Sequence, residues 1–179
     1  MNHADHVQLL RDGIHAPGGT WADFGSGQGA FTLALADLLG PGAQIHSIDR
    51  DPAALRVQQR ALQARFPHIT VHYQVADFTA PLDLPPLDGI VMANALHFVR
   101  HKAPVLHQIQ GYLKDGGHLI LVEYDTDRGN RWVPYPLSYA TWERLAGQNG
   151  FTATRRLHAV PSSFLGRIFS AVSVTSGVE

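Results

Sequence analysis

Asp23-Phe24-Gly25-Ser26-Gly27-Gln28-Gly29 decides how the rest of the chain is read. A carboxylate leads three glycines on alternate positions, at the mouth of the β-like run Thr20 to Phe24. Glycine has no Cβ, so the backbone here can turn tightly and admit a ligand to close range. Twenty residues past Gly29, the apolar-leaning run Ala43-Gln44-Ile45-His46-Ser47-Ile48 delivers a second acid, Asp49. A glycine turn with an acid at the tip of the next strand is how a parallel sheet holds a ribose-bearing ligand.

Outward from that stretch, strands and helices alternate, which predicts a parallel sheet with helices on both faces. Val7, Leu10 and Ile14 mark a short N-terminal helix, and Phe31, Leu35 and Leu38 mark the helix after the glycine turn, stopped by Gly40-Pro41. Asp51 before Pro52 reads as a helix cap followed by the favoured first helical residue. Val71, Tyr73 and Val75 alternate as strand 3, and Asp88 to Ala93 is a buried strand 4. Val105, Leu106, Ile109 and Leu113 predict a helix ended by Gly116-Gly117, followed by strand 5 over Leu119 to Val122. Asp125 to Leu137 is a loop rich in Pro, Arg and aromatics, and Ser138 caps the next helix. Phe151 to Val160 and Ile168 to Val174 follow with no helix between them, so they must pair antiparallel.

Composition narrows the function classes. The chain has 179 residues, enough for one domain with a full core. There is no cysteine, which excludes disulfides, thiolate metal sites and a cysteine nucleophile. Formal net charge is −1 with no basic block, which argues against a nucleic-acid partner. No apolar run reaches the roughly 18 residues of a membrane span, and the start lacks a signal peptide, so the expected location is cytoplasmic. His97 and His101, like His68 and His72, are four apart, but no third ligand accompanies either pair and no metal is expected.

Gly25, Gly27 and Ala30 fit the dinucleotide pattern G-x-G-x-x-G/A. Asp23, however, stands within the strand, where a carboxylate repels a pyrophosphate and suits a cation. The acid-x-Gly-x-Gly-x-Gly form resembles motif I of the class I S-adenosylmethionine (SAM)-dependent methyltransferases. The resemblance extends through Ala76-Asp77-Phe78 after strand 3, Leu87-Asp88-Gly89-Ile90-Val91 at strand 4, Leu113-Lys114-Asp115-Gly116-Gly117 before strand 5, and the antiparallel end. It implies an α/β fold: a seven-stranded Rossmann-like sheet, mostly parallel with an antiparallel last strand. One domain is expected over 1–179, with 1–19 a short helix and lead-in and no separate cap. The site should therefore be open, or closed by a second subunit of a homodimer.

What the resemblance implies for the site is specific. Gly25, Ser26 and Gly27 meet the methionine part of SAM through the backbone, and the helix starting near Gln28 offers amides to its carboxylate. Asp23 orders the turn or meets the ammonium. Asp49 takes the ribose hydroxyls, a bidentate contact, whereas Asp51 is assigned to capping. Arg50 departs from the family's usual apolar residue and could stack on the adenine by its guanidinium plane. Asp77 and Phe78 recognise the adenine. Asn94 follows strand 4 at the ligand edge, but Ala95-Leu96-His97 replaces Pro-Pro-Tyr, which argues against a DNA-adenine or glutamine methylase. His97 is a candidate general base beside Asn94, against the reading that it merely orients the next helix.

Tyr124, Arg131, Trp132 and Tyr135, on or beside the loop after strand 5, suit a small-molecule substrate with a flat or anionic part, against a loop that packs its own aromatics. The reaction expected is methyl transfer to an O, N, S or C nucleophile, leaving S-adenosylhomocysteine (SAH). The alternatives are an NAD(P)-dependent oxidoreductase and a SAM-binding module without catalysis.

Overall fold

The computed structural model describes residues 1–176. Its centre is a seven-stranded sheet in the order β3-β2-β1-β4-β5-β7-β6. The strands are β1 Thr20–Phe24, β2 Gln44–Asp49, β3 Thr70–Val75, β4 Leu87–Ala93, β5 Leu113–Tyr124, β6 Phe151–Ser162 and β7 Gly166–Thr175. Pairing is parallel from β3 through β5. β7 runs antiparallel to both β5 and β6, because only a three-residue turn joins β6 to β7.

Among the described residues five α-helices cover the sheet: α1 His3–Arg11, α2 Ala30–Leu39, α3 Pro52–Arg65, α4 Ala103–Tyr112 and α5 Tyr139–Gln148. One face carries α1, α2 and α3, whose Leu9, Leu10, Leu35, Leu39 and Leu62 bury against Trp21, Ile45 and Ile120. The other carries α4 and α5, where Leu106, Ile109 and Trp142 meet Phe24, Ile90, Leu121 and Phe169. β4 and the core of β5 lie between the two layers, which is why both read as almost continuous apolar runs. The caps read from sequence form as expected. Asp51 accepts from the Ala53 amide at 2.8 Å and Ser138 from the Thr141 amide at 3.3 Å.

Three boundaries differ from the sequence reading. α1 ends at Arg11, so Ile14 packs from the segment after it, and α2 starts at Ala30, not near Gln28. α4 stops at Tyr112, and Leu113 opens β5 by pairing with Leu87. Gly116 and Gly117 do not end that helix. They lie in an irregular stretch of β5, where the pairing jumps from Leu87↔Leu113 to Gly89↔His118. Gly116 takes φ +71° there, and Lys114 reaches back to Asp88 at 2.7 Å, holding the outward loop against β4.

The strand order turns around between β1 and β4, and the site forms at their carboxyl ends, as open α/β sheets require. The contact between these strands is close. Trp21 pairs with Gly89, and a Cβ at Gly89 would collide with the buried Trp21 ring. Gly89→Ala is therefore expected to destabilise the fold by at least about 1–3 kcal/mol through overpacking. Denaturant unfolding checks this, and an unchanged midpoint would show that the ring has room to move.

Candidate functional site

The glycine turn is held from below and from β2. The amides of Gly25 and Ser26 both donate to the Ile48 carbonyl, at 2.9 and 3.1 Å. The Gly27 amide donates to Asp49 Oδ2 at 2.7 Å, and Asp49 Oδ1 accepts from the Asp51 amide at 2.8 Å. Beneath the turn the Ser26 hydroxyl bonds to Ser47, Ser47 donates to Gln58 Oε1 at 2.6 Å, and Gln58 Nε2 donates to the Gly27 carbonyl. Gln58 is wholly buried on α3 and had no role in the sequence reading. Its signal was present: it interrupts the apolar stripe Ala54, Leu55, Leu62 with an amide, and a buried amide requires partners.

The amides of Gly25, Ser26 and Gly27 are thus all engaged within the protein. Among the described residues, those of Gln28, Ala30 and Phe31, at the start of α2, have no acceptor. Free first-turn amides carry the positive end of the helix and suit an anion. Gly25, at φ +75°, is required for a second reason: a Cβ there would stand 2.7 Å from the Ala95 Cβ.

Two cavities flank the turn. One, of about 360 Å³, is lined by Asp49, Arg50, Ala76, Asp77, Phe78 and Phe98, among others. The second, of about 310 Å³, is lined by Asp23, Ser26, Gly27, Gln28, Phe31, the N-terminal Met1 and, from α1, His6. Gly25 and Asn94 line both. Asn94 holds the left-handed conformation, φ 51°, and its Oδ1 is enclosed without a hydrogen-bond partner. An unpaired buried acceptor costs about 1–3 kcal/mol, so a donor from a ligand is the natural complement.

Arg50, Asp77 and Phe78 also line the first cavity. Asp77 is exposed, and its Oδ1 takes both the amide and the hydroxyl of Thr79, closing a local turn. These bonds hold its carboxyl below the ordinary value. Phe78 stacks on Phe24 at 6.2 Å. Arg50 is exposed at the cavity rim, while Asp51 serves as the helix cap.

His97 is buried, with 3 % exposure, on a single 3-10 turn, Leu96–Phe98. Its Nδ1 lies 2.8 Å from Glu123 Oε2, and its amide donates to Glu123 Oε1 at 3.1 Å. Glu123, at the end of β5, is fully buried and accepts both bonds. With Glu123 as the acceptor, Nδ1 is the donor of this pair and Nε2 is the ring's remaining nitrogen. Among the described residues Nε2 has no hydrogen-bond partner. His97 itself lines neither cavity, but its neighbours Phe98 and Ala95 do. The pairing was invisible in the sequence, because the two residues are 26 apart and meet only when β4 and β5 align.

The loop after β5 is anchored at its base. Asp125 accepts from the Tyr139 amide and Asp127 from the Ser138 amide and hydroxyl. The Tyr135 amide donates to the His97 carbonyl at 2.9 Å, and Lys102 Nζ donates to the carbonyls of Tyr135 and Val99, each at 2.8 Å. Arg131 and Trp132, between these anchors, are exposed, and Tyr124 is half-buried beside Glu123, which together with burial raises its pKa. Among the described residues no cluster of His, Cys, Asp and Glu could hold a metal ion, and no helix is long and apolar enough to cross a membrane.

Residues 22–119 match the family described as a methyltransferase domain. Over 84 residues the chain is 32% identical to a ribosomal RNA small subunit methyltransferase H of Verminephrobacter eiseniae, a match covering 47% of this chain and 24% of that protein. Among solved structures, the YcgJ protein of Bacillus subtilis superposes with a TM-score of 0.78 at 12% identity, covering 98% of this chain and 100% of that one. A SAM-dependent methyltransferase of Aquifex aeolicus superposes with a TM-score of 0.73 at 18% identity, covering 95% and 89%. At these identities the superpositions establish the fold.

Asp23 yields a pH prediction. It is 1 % exposed and accepts from the Thr32 hydroxyl at 2.6 Å. Burial pushes its carboxyl up to about 7, with the Thr32 bond opposing and the Asp49 charge assisting. The folded protein then holds a proton that the unfolded chain releases near 3.8, so stability falls as pH rises from that value through about 7. Asp23→Asn should raise Tm at pH 8 by at least about 3 °C, the scale of 1 kcal/mol at this size, with little change at pH 4. Equal shifts at both pH values would contradict this account of the site.

Proposed function

The chain belongs to the methyltransferase-domain family, and from that premise we propose that it transfers a methyl group from SAM to an O, N, S or C nucleophile of a small molecule. The observation that carries the reading is the pair of cavities meeting at Gly25 and Asn94. SAM is two-ended in the same way, with a flat adenosine on one side and a charged amino acid on the other. The first cavity would take the adenosine: Asp49 accepts from the ribose hydroxyls, since a carboxylate oxygen with one bond still has capacity for another, while Asp77 Oδ2 and Phe78 face the base. The second would take the amino-acid end, with its carboxylate on the amides of Gln28, Ala30 and Phe31 and its ammonium on Asn94 Oδ1. Asp49, joined by Asp23 once a bound cation favours its ionised form, adds negative potential suited to a sulfonium and hostile to the pyrophosphate of a dinucleotide.

When bound, SAM supplies an electrophilic methyl group whose leaving group is a neutral thioether. The protein's contribution is mainly positioning and the exclusion of water. We assign His97 as the general base that receives the acceptor's proton on Nε2, with Glu123 orienting the ring and stabilising the imidazolium. The curated rRNA methyltransferase matches over only 24% of its length, and the absence of a basic block favours a small acceptor over RNA.

Asp49→Ala should weaken SAM binding by about 1.5–3 kcal/mol, the scale of a hydrogen bond to a charged group. Calorimetry on a folded variant that binds as wild type would remove Asp49 from the site. With methyl-labelled SAM and a protein-free, RNA-free metabolite extract, the wild type should label a product. His97→Gln should lower its rate of formation about 100-fold while SAM affinity stays within about twofold. Label appearing only when RNA is added would overturn the small-molecule reading, and an undiminished rate in His97→Gln would remove the base.

A further inference from the structure

If adenosine and amino acid fill the two cavities, as proposed above, the acceptor must lie on the surface that adjoins them. Along that edge runs a line of rings, exposed at its two ends, with His97 buried and Tyr124 half-buried between them. Phe98 walls the first cavity and lies 4.3 Å from the His97 ring. His97 lies 6.1 Å from Tyr124, and Tyr124 lies 5.9 Å from Phe164 in the β6–β7 turn. These are the separations of stacked and tilted aromatic pairs. Phe98 and Phe164 are 56 % and 50 % exposed, and Trp132, on the loop anchored to the His97 carbonyl through Tyr135, is 70 % exposed. Large aromatics left in water beside a cleft mark a binding surface.

The charges of the same edge are unbalanced. Its acids are already engaged: Glu123 with His97, Asp125 with Arg156 and the Tyr139 amide, and Asp127 with Ser138. Lys102 is taken up by two carbonyls. Among the described residues, Arg100, Arg128, Arg131 and Arg167 have no carboxylate within 4.0 Å. The Arg131 guanidinium lies 5.9 Å from the Trp132 ring centre, a cation held at an aromatic face. Guanidinium forks match carboxylates and phosphates, and exposed rings match flat π-systems.

We propose that the acceptor is a planar aromatic anion, its ring against the line from Phe98 to Phe164 and Trp132, and its carboxylate or phosphate on Arg128 and Arg131. This rests on the SAM reading above, and the test separates the two. SAH is titrated first. With SAH saturating, 3-hydroxy-2-naphthoate, neutral 2-naphthol and non-planar 4-hydroxycyclohexanecarboxylate are titrated by calorimetry. The planar anion should bind at least about tenfold more tightly than either of the others. Arg128→Ala/Arg131→Ala should bring naphthoate to within about threefold of naphthol, a change well under the tenfold step. Trp132→Ala should weaken both planar probes, and neither variant should alter SAH affinity or Tm. Should SAH fail to bind, the SAM reading falls and this inference with it. With SAH bound, equal affinity for the three probes, or no binding of the planar anion, overturns the inference alone. So does tighter binding of a single-stranded RNA oligonucleotide, which would place a polymer on this rim.

Discussion

The bond from the Gly27 amide to Asp49 Oδ2 is the constraint on which the site depends. It ties the turn leaving β1 to the tip of β2, and the Asp51 amide completes the clamp on the other oxygen of the same carboxylate. The Ser26–Ser47–Gln58 chain fixes the turn from beneath, where no water competes and each bond is correspondingly strong. With Gly25, Ser26 and Gly27 so engaged, the unpaired amides move along to Gln28, Ala30 and Phe31, all of which line the second cavity. A carboxylate that shapes the turn can also accept from a ribose, so one side chain both builds and serves the pocket.

The polar groups left without complete satisfaction converge on the same point. Asn94 combines a left-handed backbone with an enclosed, unpartnered Oδ1, and Asp23 is a buried carboxyl whose ionisation is opposed by burial. The left-handed Asn94 costs roughly 1–3 kcal/mol, and the buried Asp23 carboxyl lowers stability as pH rises through about 7. A cationic ligand end would relieve both, since it supplies donors to Asn94 and favours the charged form of Asp23. Opposite them, the His97–Glu123 pair sits at the carboxyl ends of β4 and β5, with the anchored loop above it. A methyltransferase needs little more than this: a rigid cradle for the donor, a surface for the acceptor and a place for the proton.

Much of this was legible in the sequence because it is local. The glycine turn Gly25 to Gly29, the Asp51-Pro52 cap and the antiparallel β6–β7 pair depend on residues close together in the chain, and they form as read. The Leu113 to Gly117 stretch misled because a leucine at helical spacing before two glycines looks like a helix end. The outcome was decided by pairing with Leu87 and the reach of Lys114 to Asp88, which are tertiary facts. Gln58 and Glu123 were missed for a related reason. A polar residue in an apolar stripe, or at the end of a buried strand, declares that it needs a partner but does not name one.

In the proposed function the two cavities that meet at Gly25 and Asn94 form one site for a sulfonium cofactor. Parallel calorimetric titrations of the purified protein with SAH and with NAD⁺ test it most directly. The account predicts saturable binding of SAH with one site per chain and no measurable heat from NAD⁺. Binding of NAD⁺ with none of SAH would contradict it, and would return the glycine turn to the dinucleotide class whose spacing it also satisfies.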